Sequence, residues 1–124
     1  MLLYSEARVT AVSNEHHTHV SRLSCQLCGG GNHGQGSFDI DVHTGVFPVR
    51  RGSKLEIALA TSGEVDEGLL ETYDYVMRGQ VTHVEKDSLY VSFSGLMMCA
   101  RGFTHGAACK GGSSVCCYIR RSIV

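Results

Sequence analysis

The residues best suited to chemistry are two cysteines and a histidine in the first third of the chain. Cys25 and Cys28 are separated by two residues, and His33 follows Cys28 by five. Two thiolates on one turn and an imidazole are ligands that tetrahedral zinc accepts. The candidates for a fourth ligand are Cys109, Cys116, Cys117 and His105. No second CxxC or HxxxH pair fixes that ligand, so zinc is the weaker alternative and we expect no cofactor.

The other polar clusters do not form a catalytic pattern. Asp39 and Asp41 share one face of a predicted strand, where acids that face solvent are ordinary. The glycine run at 29–36 is followed by neither the helix nor the lysine that a phosphate-binding loop requires. The sequence contains no Ser-His-Asp elbow, HExxH motif or nucleotide fingerprint. These features favour a protein without its own active site.

Length and composition favour one globular domain. The chain has 124 residues, of which 43% are hydrophobic and 19% charged, so we expect a single domain over 1–124. The formal net charge of -1 provides no broad cationic field, so nucleic acid should bind weakly at most. No apolar run reaches the length of a membrane span and no secretion signal is present. We therefore expect an intracellular protein with free thiols and no membrane contact.

Alternating apolar and polar residues predict the strands that would position these side chains. The alternation occurs at 38–43, 54–59, 73–85, 89–94, 96–101 and 115–123. The apolar parity of Tyr73, Tyr75, Met77 and Val81 slips at Val84, and with Gly79 in the same stretch this predicts a bulge or barrel corner; Ser94-Gly95 predicts a tight connection. Cys116 and Cys117 should point to opposite faces of the last strand. Without βαβ spacing, this pattern indicates an all-β antiparallel Greek-key barrel in preference to a sandwich.

Two stretches interrupt the strand pattern and are predicted as exposed loops. They are the glycine run at 29–36 and the acidic stretch at 62–72.

Scattered arginines and aromatics raise a nucleic-acid alternative. The arginines are Arg50, Arg51, Arg78, Arg101, Arg120 and Arg121, and the candidate stacking residues are Tyr75, Tyr90 and Phe93. Together they would suit a stand-alone oligonucleotide-binding (OB) module for single strands. Arginines on strand exteriors more often form surface pairs or protein contacts, and the near-neutral charge favours protein contact.

Several blocks, in order, carry a family resemblance. They are Val20–Leu23, Asp39–Val42 leading to Phe47–Val49, Leu55–Ser62, Tyr73–Met77 with Gly79, and Tyr90–Met98. In this combination the chain resembles the eighth common subunit shared by eukaryotic RNA polymerases I, II and III. The Cys25/Cys28 pair and the short stretch at 62–72 depart from that family's pattern.

The resemblance implies a fold, a role and a set of contacts. It implies a single OB-type barrel of about eight strands that docks on the largest polymerase subunit and supports assembly without catalysis. It also implies a nuclear location, in nucleoplasm and nucleolus. The best-matching blocks contain or adjoin the candidate contact residues, which are Tyr75, Met77, Gly95, Leu96, Met97 and Arg101.

Overall fold

The computed structural model describes residues 3–17, 19–28, 36–61, 67–102 and 110–122. Within these ranges there are eight strands and one short helix. The strands are β1 (Leu3–His17), β2 (Val20–Leu27), β3 (Ser37–His43), β4 (Lys54–Ala60), β5 (Tyr75–Val84), β6 (Ser88–Phe93), β7 (Leu96–Arg101) and β8 (Ser114–Arg121). The helix, α1 (Glu67–Thr72), lies between β4 and β5.

The strands close into one antiparallel barrel. Their order around it is β1-β2-β3-β7-β6-β5-β8-β4, and β4 pairs with β1 to complete the circle. Placing β4 beside β1, followed by β2 and β3, gives the Greek-key order. Closure leaves every strand paired on both sides, which removes exposed sheet edges. The predicted all-β antiparallel barrel of OB type is confirmed.

Strand alternation fills the barrel interior with apolar side chains. In β3, Phe38, Ile40 and Val42 point inward, and β4 contributes its leucines and Ile57 in the same way. Full burial of an apolar side chain of this size stabilises the fold by about 1.5–3 kcal/mol. The largest fully buried side chains are Tyr118, Phe38, Phe47, Leu23, Ile40, Leu55, Ile57, Leu59, Leu89, Met98 and Ile119.

Two irregularities expected from the sequence are present. The β5–β6 ladder shifts register between Val81 and His83, within the interval from Val81 to Val84 in which the apolar parity slips. Ser94 and Gly95 join β6 to β7 with φ of 56° and 96°. Two successive positive φ angles are the signature of the tight hairpin turn that matches strand twist. The predicted bulge and tight connection are therefore confirmed.

The loop predicted for 62–72 is wrong in its second half, because Glu67–Thr72 forms helix α1. Residues 62–66 lie outside the described part of the chain. Six residues make fewer than two turns, too few for a periodic apolar stripe to be recognised. The helix packs Leu69 on an apolar cluster on the outside of the barrel, formed by Ala58, Tyr73, Cys116 and Tyr118. In the described residues, no helix is long and apolar enough to cross a bilayer.

Candidate partner-contact surface

One outer face of the barrel carries two of the predicted contact residues, Met97 and Arg101. Along β7, Met98 and Ala100 point into the core, so Met97, Cys99 and Arg101 point outward. Cys99 lies opposite Asp39 of β3 on one side and Tyr90 of β6 on the other. We call this surface the contact wall. It consists of Arg22, Asp39, Asp41, Tyr90, Met97, Cys99 and Arg101.

A buried carboxylate organises one end of the contact wall. Asp41 is only 6% exposed. Its Oδ1 accepts a hydrogen bond from Arg22 Nε at 2.7 Å, and its Oδ2 accepts bonds from Arg22 Nη2 at 3.2 Å and from the Met97 backbone N–H at 3.0 Å. The hydrogen bond to Asp41 raises the pKa of Arg22. Asp41 therefore ties β2, β3 and β7 together, and the expectation that it faces solvent is wrong.

The other end of the contact wall contains a second set of polar contacts. Arg101 Nη2 donates to Asp39 Oδ2 at 3.0 Å, and Arg101 Nη1 donates to Cys99 Sγ at 3.2 Å. A side-chain hydrogen bond with Cys99 is the main cause of the raised pKa of Tyr90. These bonds hold four side chains from three strands in fixed positions.

Between the two polar ends lies a shallow depression of about 280 Å³. Its lining consists of Arg22, Asp39, Tyr90, Met97, Met98 and Cys99. Met97 is 37% exposed, one of few large hydrophobic side chains in the described residues with that much exposure. An apolar centre with an arginine and an aromatic ring at its rim is the composition of protein-binding surfaces. The arrangement can desolvate an apolar side chain of a partner and orient it by hydrogen bonds.

The six predicted contact residues divide into two groups. Gly95, Leu96, Met97 and Arg101 lie together on β7 and the turn before it. The other two lie on β5, away from this surface, and contribute to the fold. Met77 is 8% exposed within the core, and the Tyr75 ring stacks on Phe47 at 5.5 Å.

Tyr75 is also fixed by its hydroxyl, which accepts the His43 backbone N–H at 3.0 Å. Core packing therefore accounts for Tyr75 and Met77, and both lie outside the contact wall.

Five residues of the contact wall were absent from the predicted contacts. They are Arg22, Asp39, Asp41, Tyr90 and Cys99. Strand parity alone puts each of them on an outward face, and that signal was present in the sequence. What the sequence lacked was the pairing of β3 with β7, strands that lie far apart in the chain. Without that register, Asp39 cannot be placed beside Cys99.

The predicted zinc ligands do not share one site in the described residues. Cys25 is buried in the barrel core, whereas Cys28 is exposed just after β2. Burial raises the pKa of the Cys25 thiol to about 12, which opposes the thiolate that zinc requires. His33, His105, Cys109 and the glycine run at 29–35 lie outside the described residues. The part of the chain that is described contains no group of three metal-ligating side chains.

Cys116 and Cys117 are both fully buried, and their side chains lie in different clusters. Cys117 packs in the barrel core, and Cys116 packs in the outer cluster beneath α1. The expected placement on opposite faces is confirmed. Two thiols on opposite sides of one strand cannot bind the same metal ion.

Stability should fall at alkaline pH because of the buried thiols. Burial raises the pKa of Cys25 from 9.0 to about 12 and also raises the pKa of Cys117. Below about pH 9 both the folded and unfolded states keep these protons, whereas above it only the unfolded chain loses them. The free energy of unfolding then decreases by about 1.4 kcal/mol per pH unit for each thiol.

This pH effect can be measured by urea denaturation under reducing conditions. Between about pH 8 and about pH 10.5, wild type should lose ~2 kcal/mol more stability than Cys25→Ala, because Cys25 resists ionisation only when folded. Cys28→Ala is the matched control, since Cys28 is exposed, and it should follow wild type. Equal pH dependence of wild type and Cys25→Ala would contradict the prediction.

Comparison with protein families gives a match across nearly the whole barrel. Residues 6–121 match the family described as RNA polymerase Rpb8. The chain belongs to this family. All seven residues of the contact wall lie within the matched range. The family resemblance drawn from the sequence is confirmed.

Curated relatives are members of RNA polymerases by name. The chain is 31% identical over 101 residues to DNA-directed RNA polymerases I, II, and III subunit RPABC3 of Schizosaccharomyces pombe, covering 76% of the chain and 75% of the relative. It is 32% identical over 83 residues to DNA-directed RNA polymerases II, IV and V subunit 8B of Arabidopsis thaliana. That second match covers 51% of the chain and 57% of the relative.

Proposed function

We propose that the chain is a non-catalytic structural subunit of nuclear DNA-directed RNA polymerases. The observation that carries this proposal is the match of residues 6–121 to the RNA polymerase Rpb8 family. The relatives' names support a place in several polymerases, with polymerases I, II and III as the assemblies. Its location would be the nucleus, in both nucleoplasm and nucleolus. Its task would be to support assembly, with the reaction carried out by other subunits.

The contact wall is our proposed docking site for the largest polymerase subunit. Met97 would supply the apolar contact, and Arg101 would supply hydrogen bonds at its edge. Gly95 would set the turn that leads to this surface, whereas Leu96 packs against the barrel core. A methionine beside an arginine and a tyrosine has the composition typical of the residues that dominate binding energy. Hydrogen bonds among Asp39, Asp41 and the arginines fix the surface before binding. Such fixed surfaces lose little side-chain entropy on association.

The rival role, a stand-alone OB module for single-stranded nucleic acid, has less support. Stacking of bases requires exposed aromatic rings. Of the three aromatics assigned to stacking, Phe93 is buried in the core and Tyr75 is packed on Phe47. Tyr90 lies on the contact wall, where Asp39 and Asp41 offset the charges of Arg101 and Arg22 and leave no net positive charge to attract a phosphate backbone.

Affinity capture from cells tests the proposed docking. A tagged copy of the chain should recover the largest polymerase subunit, and Met97→Lys should weaken that recovery. We expect about a 30-fold loss of affinity, since a cation in place of a desolvated methionine removes a central contact worth ~2 kcal/mol. Asp39 and Asp41 nearby should keep the lysine variant stable.

Leu70→Lys provides the matched control for this capture experiment. Leu70 is 50% exposed on α1, and α1 packs on the outside of β4 and β8. In the strand order, β4 is four strands from β7, on the opposite side of the barrel. The control should recover polymerase subunits as wild type does. Full recovery by Met97→Lys would remove the contact wall as the docking site, and no recovery by wild type would remove the proposed function.

A further inference from the structure

Arg50 and Arg51, which are not part of the contact wall, lie on a turn that backbone and side-chain hydrogen bonds close. The Arg50 carbonyl accepts the Ser53 backbone N–H at 3.0 Å, and Ser53 Oγ accepts the Arg50 backbone N–H at 3.2 Å. Gly52 has a φ of 91°, a conformation that glycine adopts without strain. The turn is therefore closed by two hydrogen bonds and keeps Arg50 and Arg51 exposed at its tip.

This turn is bound to β1 beside a third arginine. Gly52 N–H donates to the Val9 carbonyl at 2.7 Å, and Val9 N–H donates to the Ser53 carbonyl at 2.9 Å. Arg8 precedes Val9, points outward and lies directly opposite Lys54 of β4. Three arginines from two separate segments are thus held on one end of the barrel by backbone hydrogen bonds.

Arg121 at the end of β8 completes the group. Its guanidinium lies 4.5 Å from the centre of the Phe47 ring and donates to the Pro48 carbonyl. Backbone pairing fixes this strand end to β4, because Ser122 N–H donates to the Lys54 carbonyl at 2.8 Å. We call the set of Arg8, Arg50, Arg51, Lys54 and Arg121 the basic end.

The basic end has few neutralising partners. Lys54 is 3.7 Å from Glu6, and Asp74 accepts the Arg121 backbone N–H at 3.4 Å. Within the described residues, Arg8, Arg50 and Arg51 have no carboxylate within ion-pair distance. By contrast, Arg120 is bonded to Glu56 and Arg101 to Asp39. A chain of net charge -1 thus concentrates unpaired positive charge at one place.

We propose that the basic end binds an acidic peptide segment of a protein partner. Exposed guanidinium groups form bidentate hydrogen bonds with carboxylates, so Asp and Glu side chains complement them in both charge and geometry. A nucleic acid fits less well, since the aromatic ring at this end, Phe47, is buried beneath Arg121 and offers no face for base stacking. The basic end lies on β1, β4 and β8, across the barrel from β7, so this binding does not depend on the docking proposed above.

The test uses the full chain and two fluorescent probes of equal charge, a peptide with a run of glutamates and a single-stranded oligothymidylate. The variant Arg50→Gln/Arg51→Gln keeps polar, hydrogen-bonding side chains and removes two cations. Its affinity for the glutamate peptide should be about tenfold lower than that of wild type, because two charge-assisted contacts are lost. The control Lys86→Gln/Lys110→Gln removes two exposed cations and should bind like wild type. Lys86 follows β5 and Lys110 precedes β8, whereas Arg121 of the basic end lies at the other end of β8.

Each outcome decides the proposal. Loss of peptide binding confined to the arginine variant supports it. Equal binding by both variants, or tighter arginine-dependent binding of the oligothymidylate than of the peptide, overturns it. Circular dichroism of both variants should match wild type, since all four side chains are exposed. The readout is separate from polymerase capture, so either proposal can fail without the other.

Discussion

Gly79→Val should prevent the barrel from folding. A Cβ atom at this position would lie 2.2 Å from the Ser92 carbonyl oxygen and 2.7 Å from Cδ1 of Phe93. The first contact is with backbone, which cannot move without separating β5 from β6. Valine adds two further methyl groups to the same space. Overpacking typically costs about 1–3 kcal/mol, and the contact here is with backbone, so Gly79→Ala alone should lose about 3 kcal/mol.

Urea denaturation followed by circular dichroism measures this effect. Gly79→Ala should unfold at clearly lower urea than wild type, and Gly79→Val should be unfolded in its absence or recovered only as aggregate. Gly111→Ala is the control, because its Cβ would have the Thr82 carbonyl oxygen, at 4.0 Å, as its nearest neighbour. That variant should stay within about 0.5 kcal/mol of wild type. A Gly79→Ala protein as stable as wild type would show that β5 and β6 can separate here at little cost.

Gly79 illustrates how much of the fold the sequence could predict. The shift of apolar parity from Val81 to Val84, with Gly79 just before it, correctly predicts a break in a regular strand. The register shift itself occurs between Val81 and His83, while Gly79 allows the close approach of β6. Alternation shows which residues face inward, because it depends on one strand only. The distance between two strands depends on which strands pair, and alternation within one strand does not show this.

The candidate contact residues were predictable only where they are close together in the sequence. Gly95, Leu96, Met97 and Arg101 belong to one hairpin, so a local pattern was enough to bring them together. Arg22, Asp41 and Met97 belong to three strands, and only the order β2-β3-β7 makes them neighbours. Asp41 was read as an ordinary outward acid because outward residues are usually solvated. In the fold its buried carboxylate is bonded to Arg22 and to the Met97 backbone N–H, which belong to two other strands.

Helix α1 was missed for a different reason. It has six residues, one of which is Gly68, and glycine weakens a helix by about 1 kcal/mol relative to alanine. Its formation depends on packing Leu69 over Tyr118 and its neighbours on the outside of the barrel. Tertiary contacts of this kind override local propensity, and a reading of local pattern cannot supply them.

Removing the Asp41 carboxylate should destabilise the barrel by about 2–3 kcal/mol. Asp41→Ala leaves the Met97 backbone N–H without its acceptor and Arg22 without its bidentate partner. Hydrogen bonds to a charged group contribute about 1.5–3 kcal/mol, and an unsatisfied buried donor adds a penalty. Arg22→Met should cost about 2 kcal/mol by leaving the carboxylate only partly compensated. Denaturant titration of each variant measures these losses.

The double variant separates a coupled pair from two independent contributions. If Asp41 and Arg22 act as one unit, Arg22→Met/Asp41→Ala should cost about 1–2 kcal/mol less than the sum of the single changes. The control cycle uses Glu6→Ala and Lys54→Met, because this pair is 3.7 Å apart and both side chains are one-third exposed. Its coupling should be below about 0.5 kcal/mol, as for other solvated pairs. Strict additivity at Asp41 and Arg22 would mean that the two strands are held together by backbone pairing alone.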